Sequence, residues 1–159
     1  MYSYDDIVII EKQLKKFLIY FAATTIVFLI GLIIVCKNWG TVLDPIRLPV
    51  WPAYILGIFY AVYTVFCWSL IGTRLIKYRN FVYNIIAGLE RSIAGKIVKI
   101  DRNISYDNDL EFYNIEIKEN NNEENRYLRI DATKDVNKLE IGKSVEVKVF
   151  GNYIKDIVS

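Results

Sequence analysis

Two long apolar runs without a single charge, Phe17–Cys36 and Leu48–Thr73, stand ahead of a polar tail whose apolar residues alternate. The first run has 20 residues. At ~1.5 Å rise per residue a helix of that length spans a hydrocarbon core of ~30 Å. The second is longer, but Pro49 and Pro52 break its start, so its helix is predicted over Ala53–Thr73. The first run exceeds the ~7–15 residues of a signal-peptide core and no A-x-A-like site follows it, so it is expected to be retained. Two such runs in 159 residues also argue against buried helices of a soluble protein.

Basic residues flank the runs unevenly. Lys12, Lys15 and Lys16 precede the first, and Arg74, Lys77, Arg79 and Arg91 follow the second. The stretch between them, 37–52, has only Lys37 and Arg47. Positive charge collects on the cytoplasmic side, so both termini are predicted in the cytoplasm and 37–52 outside. Trp39 and Trp51 fall where an outer aromatic belt belongs, and Asp44-Pro45 and Pro49 make the loop a constrained turn. Neither span carries an ionisable Asp, Glu, Lys, Arg or His, which disfavours transport through charged relays.

Within the hairpin, Gly31 and Gly57 are expected at similar depth, and Gly57 with Ala61 forms a small-xxx-small pair that lets backbones approach. This face is expected to close the hairpin or to pair two copies. Tyr60, Tyr63, Thr64 and Cys67 share a second face, either a polar seam toward a partner helix or plain packing. Cys36 and Cys67 lie at different depths, a poor geometry for a disulfide.

Two flanking helices are predicted. Residues 1–16 form an amphipathic helix, with Ser3 as cap and Asp5 and Asp6 at the positive end, running into the first span. Residues 74–94 repeat Leu75, Tyr78, Val82, Ile85, Leu89 and Ile93 at helical spacing, with basic residues mostly opposite. Such a basic helix beside a membrane lies on anionic headgroups, with Arg74, Lys77, Arg79 and Arg91 as the surface contacts, or it covers the core of the following domain. Gly88 is a candidate break.

From Gly95 to Ser159 the period changes to two. Strands are predicted over Lys96–Asp101, Leu110–Lys118, Arg126–Ala132, Ser144–Phe150 and Tyr153–Val158. Ile115, Ile117, Leu128, Ile130, Val145, Val147 and Val149 should face inward, with Leu139 and Ile141 tucked in from a loop. Phe112, Tyr113, Tyr127 and Tyr153 are read mostly as core. Glu119–Asn125 is a solvated turn, and Gly151-Asn152 a tight one. The fold class is therefore α+β membrane protein: a two-helix transmembrane hairpin followed by a small five-stranded antiparallel β-barrel, OB or SH3-like, because closure removes exposed edges. A sandwich-like meander is the alternative.

Chemistry is sparse. The chain has no His, which removes His acid–base catalysis and His metal ligation. No phosphate loop, nucleophile elbow or zinc spacing occurs, so no enzyme activity and no cofactor is expected. Asp107, Asp109 and Glu111 alternate but lack the Gly and distal Glu of a calcium loop, and read as a solvated acidic turn. From Ala94 onward 11 Lys or Arg face 13 Asp or Glu, a net −2, which disfavours nucleic acid as a partner.

The stretch Ile141-Gly142-Lys143-Ser144-Val145-Glu146-Val147, followed by a closing hairpin, resembles in layout the membrane-anchored OB proteins of the nodulation-efficiency D type. The Pro-Ser-Gly element near the first strand of that family is missing here, and the resemblance implies architecture alone. The expected role is a non-enzymatic membrane hairpin that displays a small cytoplasmic barrel as an accessory or assembly subunit of a membrane complex. The expected partners are the anionic headgroups of the bilayer, at the juxtamembrane helix, and a protein partner or a second copy. The alternative is a homo-oligomeric pore with the barrels as a vestibule. Ile-, Asn-, Lys- and Tyr-rich usage suggests an AT-rich bacterial genome and hence a bacterial plasma membrane.

Overall fold

The structure, a computed structural model, describes residues 1–37, 51–120, 125–136 and 139–158. The expected outer loop, with Trp39 and Arg47, falls largely outside the described residues, as does the middle of the Glu119–Asn125 turn. The chain divides into two compact units, Glu11–Leu75 and Met1–Ile10 with Ile76–Ser159.

The helical unit is built from α1 (Tyr4–Lys37) from Glu11 onward, α2 (Trp51–Cys67), a π-helical turn (Trp68–Gly72) and the start of α3 (Thr73–Ala87). Helix α1 is one uninterrupted helix from its polar first turns through the apolar run. Ser3 stands just ahead of its first turn, as expected, and the Asp6 carboxylate reaches back to accept the Ser3 N–H at 2.9 Å, the returning half of a capping box. Helix α2 begins at Trp51, ahead of the expected Ala53, because Pro52 fits a first helical turn, where its missing N–H is no loss. Among the described residues, two helices are long and apolar enough to cross a membrane, Tyr4–Lys37 and Trp51–Ala87.

An aromatic seam joins α1 to α2. Phe28 stacks on Tyr60 at 4.0 Å between ring centroids, and Phe21 lies parallel to Tyr63 at 6.3 Å. The Tyr60 hydroxyl meets Thr25 Oγ1 at 2.7 Å, while Thr25 also donates to the Phe21 carbonyl. Both polar groups therefore find partners within the hairpin, which an apolar surround demands. At the π turn the Thr73 N–H and hydroxyl both donate to the Trp68 carbonyl. Gly72 is buried there, and a Cβ on it would stand 3.0 Å from the Phe17 ring.

The second unit is a closed barrel in the order β1-β2-β3-β5-β4, from β1 (Arg91–Asp107), β2 (Leu110–Glu119), β3 (Asn125–Asp131), β4 (Ser144–Phe150) and β5 (Tyr153–Ile157). It is a five-stranded barrel of the OB/SH3-like class. Pairing is antiparallel except where β5 lies parallel to β3, Arg129 opposite Tyr153, a departure from the all-antiparallel expectation that this strand order requires. Ile93, Ile97, Ile115, Ile117, Leu128, Ile130, Val147, Val149 and Ile154 fill the core, with Leu139 over one side.

The largest difference lies before the barrel. Helix α3 ends at Ala87, not at residue 94, and β1 begins at Arg91. Leu89 and Ile93 extend the helical period by chance, but Gly88 is pressed so closely to Phe150 and the Asn84 carbonyl that a Cβ would stand 2.1 Å from the Phe150 ring. Long β1 pairs with β4 through its first half and with β2 through its second. Gly95 sits where the two pairings overlap, and a Cβ there would lie 2.3 Å from the Lys118 carbonyl oxygen. A strand serving both neighbours at such a corner needs glycine. Asn108 and Asp109, both at positive φ, make the two-residue turn between β1 and β2.

Candidate functional site

The residues expected at sites fall as follows. A Cβ on Gly31 would stand 3.8 Å from Leu56, so Gly31 faces α2 one residue from Gly57. Gly57 itself has nothing within 4 Å, and Ala61 is exposed. The hairpin is thus joined by the Tyr60 and Tyr63 face, and the Gly57–Ala61 face is open. Arg74 is exposed, Lys77 forms an ion pair with Asp109, and Arg79 donates to Asn80 Oδ1 at 3.1 Å. Arg91 stands on β1 opposite Val149, apart from the helix that was expected to carry it. The apolar face of α3 is covered: Val82 and Ile85 are fully buried, and Phe81 meets Phe112 and Tyr153 edge-on at 5.2 and 5.1 Å. Packing on the barrel, one of the two readings of that helix, is observed for the turns that carry Phe81, Val82 and Ile85.

A polar clasp surrounds Asp131 at the end of β3. At 3 % exposure it is the one buried charged residue among those described. Its Oδ2 accepts the Tyr78 hydroxyl at 2.7 Å and the Tyr2 hydroxyl at 3.3 Å, and its Oδ1 accepts the Thr133 N–H and hydroxyl at 2.9 and 2.8 Å. Burial, then the nearby carboxylate, raises the Tyr2 phenol above its ordinary range. Burial likewise raises Tyr78, against the opposing Thr133 hydrogen bond. Lys134 lies 4.9 Å over the Tyr2 ring and pairs with Asp6 at 3.0 Å. Burial works to raise the Asp6 carboxyl, but the Ser3 N–H and Lys134 outweigh it and hold the group below its usual range.

The acidic turn is engaged rather than open. Asp107 pairs with Arg129 and accepts the Tyr153 hydroxyl at 2.6 Å, and Asp109 pairs with Lys77. Glu90 bridges Lys148 on β4 and Lys155 on β5 at 3.0 and 3.2 Å, and the Lys148 hydrogen bond leads the causes that hold its carboxyl low. These contacts tie the segment after α3 to the barrel.

A different arrangement lies on the outer face of β1, β2 and β3. Lys99, Glu116 and Tyr127 occupy one cross-strand row, and Asp101, Asn114 and Arg129 the next. Five of these line a cavity of about 210 Å³: Lys99, Asp101, Asn114, Glu116 and Tyr127, with Ile115 beneath. The register of β1 shifts between Ile97 and Lys99, beside this face. Tyr127, read from sequence as core, is 68 % exposed. The signal was present: Leu128 and Ile130 face inward, so strict alternation puts Tyr127 outward. Ile141 is also exposed, because it precedes the turn at Gly142, whose φ is +89°.

Comparison of the chain with protein-family models, with curated proteins and with solved structures finds no match.

Proposed function

We propose that this chain is a non-enzymatic, membrane-anchored interaction module. Its hairpin holds a small barrel at the cytoplasmic face of the bacterial plasma membrane, as an accessory or assembly subunit of a membrane complex. The observation that carries the reading is the pairing of two apolar helices whose outward residues, such as Ile26, Ile30, Ile58 and Phe66, are exposed, with a barrel whose own core is closed. Apolar surface of that extent is stable against lipid rather than water. The strand order and the parallel β3–β5 closure favour the OB form of the barrel.

The acids support a structural role. Asp107, Asp131 and Glu90 each meet cationic or hydroxyl partners within the fold. Arg74, Lys77, Arg79 and Arg91 meet anionic headgroups through charge alone, since the apolar face of α3 belongs to the barrel. Extraction tests the anchoring: the protein stays in the membrane pellet through high-salt and alkaline washes and leaves with detergent. Release by salt alone contradicts it. Copurification after mild solubilisation tests the module, and a protein that always emerges alone and monomeric contradicts that part.

A homo-oligomeric pore is the second reading, favoured by the open Gly57–Ala61 face. Mass measurement in nanodiscs with single-channel recording separates the two, because a silent monomer or dimer excludes the pore.

A further inference from the structure

We propose that the cavity on the outer face of β1, β2 and β3 receives a guanidinium side chain from a protein partner. The inference rests on the interaction-module reading and adds the chemistry of what is recognised. Size narrows the occupant first. About 210 Å³ is smaller than the ~300–1,000 Å³ of a cofactor or drug-sized pocket, but it has room for one long side chain.

Charge narrows it further. Asp101 and Glu116 against Lys99 leave the cavity net negative, which disfavours phosphate and carboxylate ligands. Asp101 accepts the Asn103 N–H at 3.0 Å through Oδ1, and Glu116 accepts the Asn125 amide at 2.7 Å through Oε1. Each has a second oxygen with no hydrogen bond among the described residues. Among the described residues no ion pair joins Lys99 to either acid. The exposed Tyr127 ring completes the set: a planar cation stacks on an aromatic face while its edge donates in a fork to carboxylate oxygens. Arginine provides both, and lysine only a point charge.

The test uses the full chain in nanodiscs with two probes, Nα-acetyl-arginine methylamide and its neutral isostere Nα-acetyl-citrulline methylamide. Single exposed contacts of this kind are weak, so binding is followed by NMR shifts up to about 20 mM probe. Saturable shifts at Lys99, Asn114 and Glu116 with the arginine probe only are expected. The D101N/E116Q double variant weakens binding about five-fold or more, Y127A does likewise, and K99Q tightens it about two-fold by removing a like charge. All of these positions lie at the surface, and melting curves check that the variants fold. Absence of saturation, equal shifts with citrulline, or weakening in K99Q overturns the proposal. A photo-crosslinker in place of the exposed Lys118, two residues from Glu116 on β2 and outside the cavity lining, separates it from the module reading in native membranes. Capture of a protein with a silent arginine probe sinks the guanidinium site but keeps the module. A saturating probe without any captured protein keeps the site and sinks the module.

Discussion

The Tyr78 hydroxyl donates to Asp131 Oδ2 at 2.7 Å, tying α3 to the end of β3. Asp131 cannot exchange these partners for water, because it is almost wholly buried. Its replacement in D131A strands the hydroxyls of Tyr2, Tyr78 and Thr133 and is expected to cost about 3 kcal/mol, against about 1 kcal/mol for Y78F. Denaturant unfolding of the full chain followed by tryptophan-independent circular dichroism measures both. A D131A variant as stable as Y78F would show that the clasp does not hold the unit together.

Stability should be flat near neutral pH and fall at both ends, for different groups. Tyr2, Tyr78 and Tyr153 have raised phenol pKa values, burial being the first cause in each. A raised group contributes stability that is fully present below its unfolded pKa, about 10 for tyrosine, and is lost as pH rises through the folded value. Asp6, Glu90 and Asp156 are lowered, Asp156 chiefly by its contact with the Met1 ammonium. Their contribution is present above an unfolded pKa of about 4 and is lost as pH falls through the folded values. Thermal melting from pH 3 to 11 checks this, and Y78F should lessen the alkaline loss.

Glycine positions separate sharply. G95A drives a Cβ into the Lys118 carbonyl and the Ile117 side chain, and should destabilise by about 3 kcal/mol. G57A meets nothing within 4 Å and should change monomer stability by less than about 0.5 kcal/mol. If the Gly57 face pairs two copies, G57L lowers association in nanodiscs while leaving helix content intact.

The hairpin depends on Tyr60. Y60F removes the hydroxyl that meets Thr25 and should cost about 0.6 kcal/mol, the usual value for a hydrogen bond between membrane helices. Y60A also loses the stack on Phe28 and should cost several times more. Unfolding in mixed micelles by added SDS measures the pair.

Much of this molecule is legible in its residues because its periods are strong. The alternation of Ile115 with Ile117, Leu128 with Ile130, and Val145, Val147 and Val149 predicts their burial, and all are buried. The reading fails where one period runs into another. Ile93 satisfies the helical repeat of Val82 and Ile85 and also the strand repeat with Ile97, and only the close packing of Gly88 on Phe150 decides between them. Tyr127 departs from the core position that its residue type suggests, because its neighbours' parity places it outside. The Asp131 clasp joins residues 129 positions apart, Tyr2 and Asp131, which no local pattern contains.

The most direct test of the anchoring account uses Cys36, exposed near the end of α1, with Cys67 replaced to leave one thiol. A membrane-impermeant maleimide added to intact cells expressing C67S is expected to label Cys36 without permeabilisation, as a hairpin with both termini in the cytoplasm requires. Labelling only after the membrane is opened, or a protein recovered in the soluble fraction, contradicts the account.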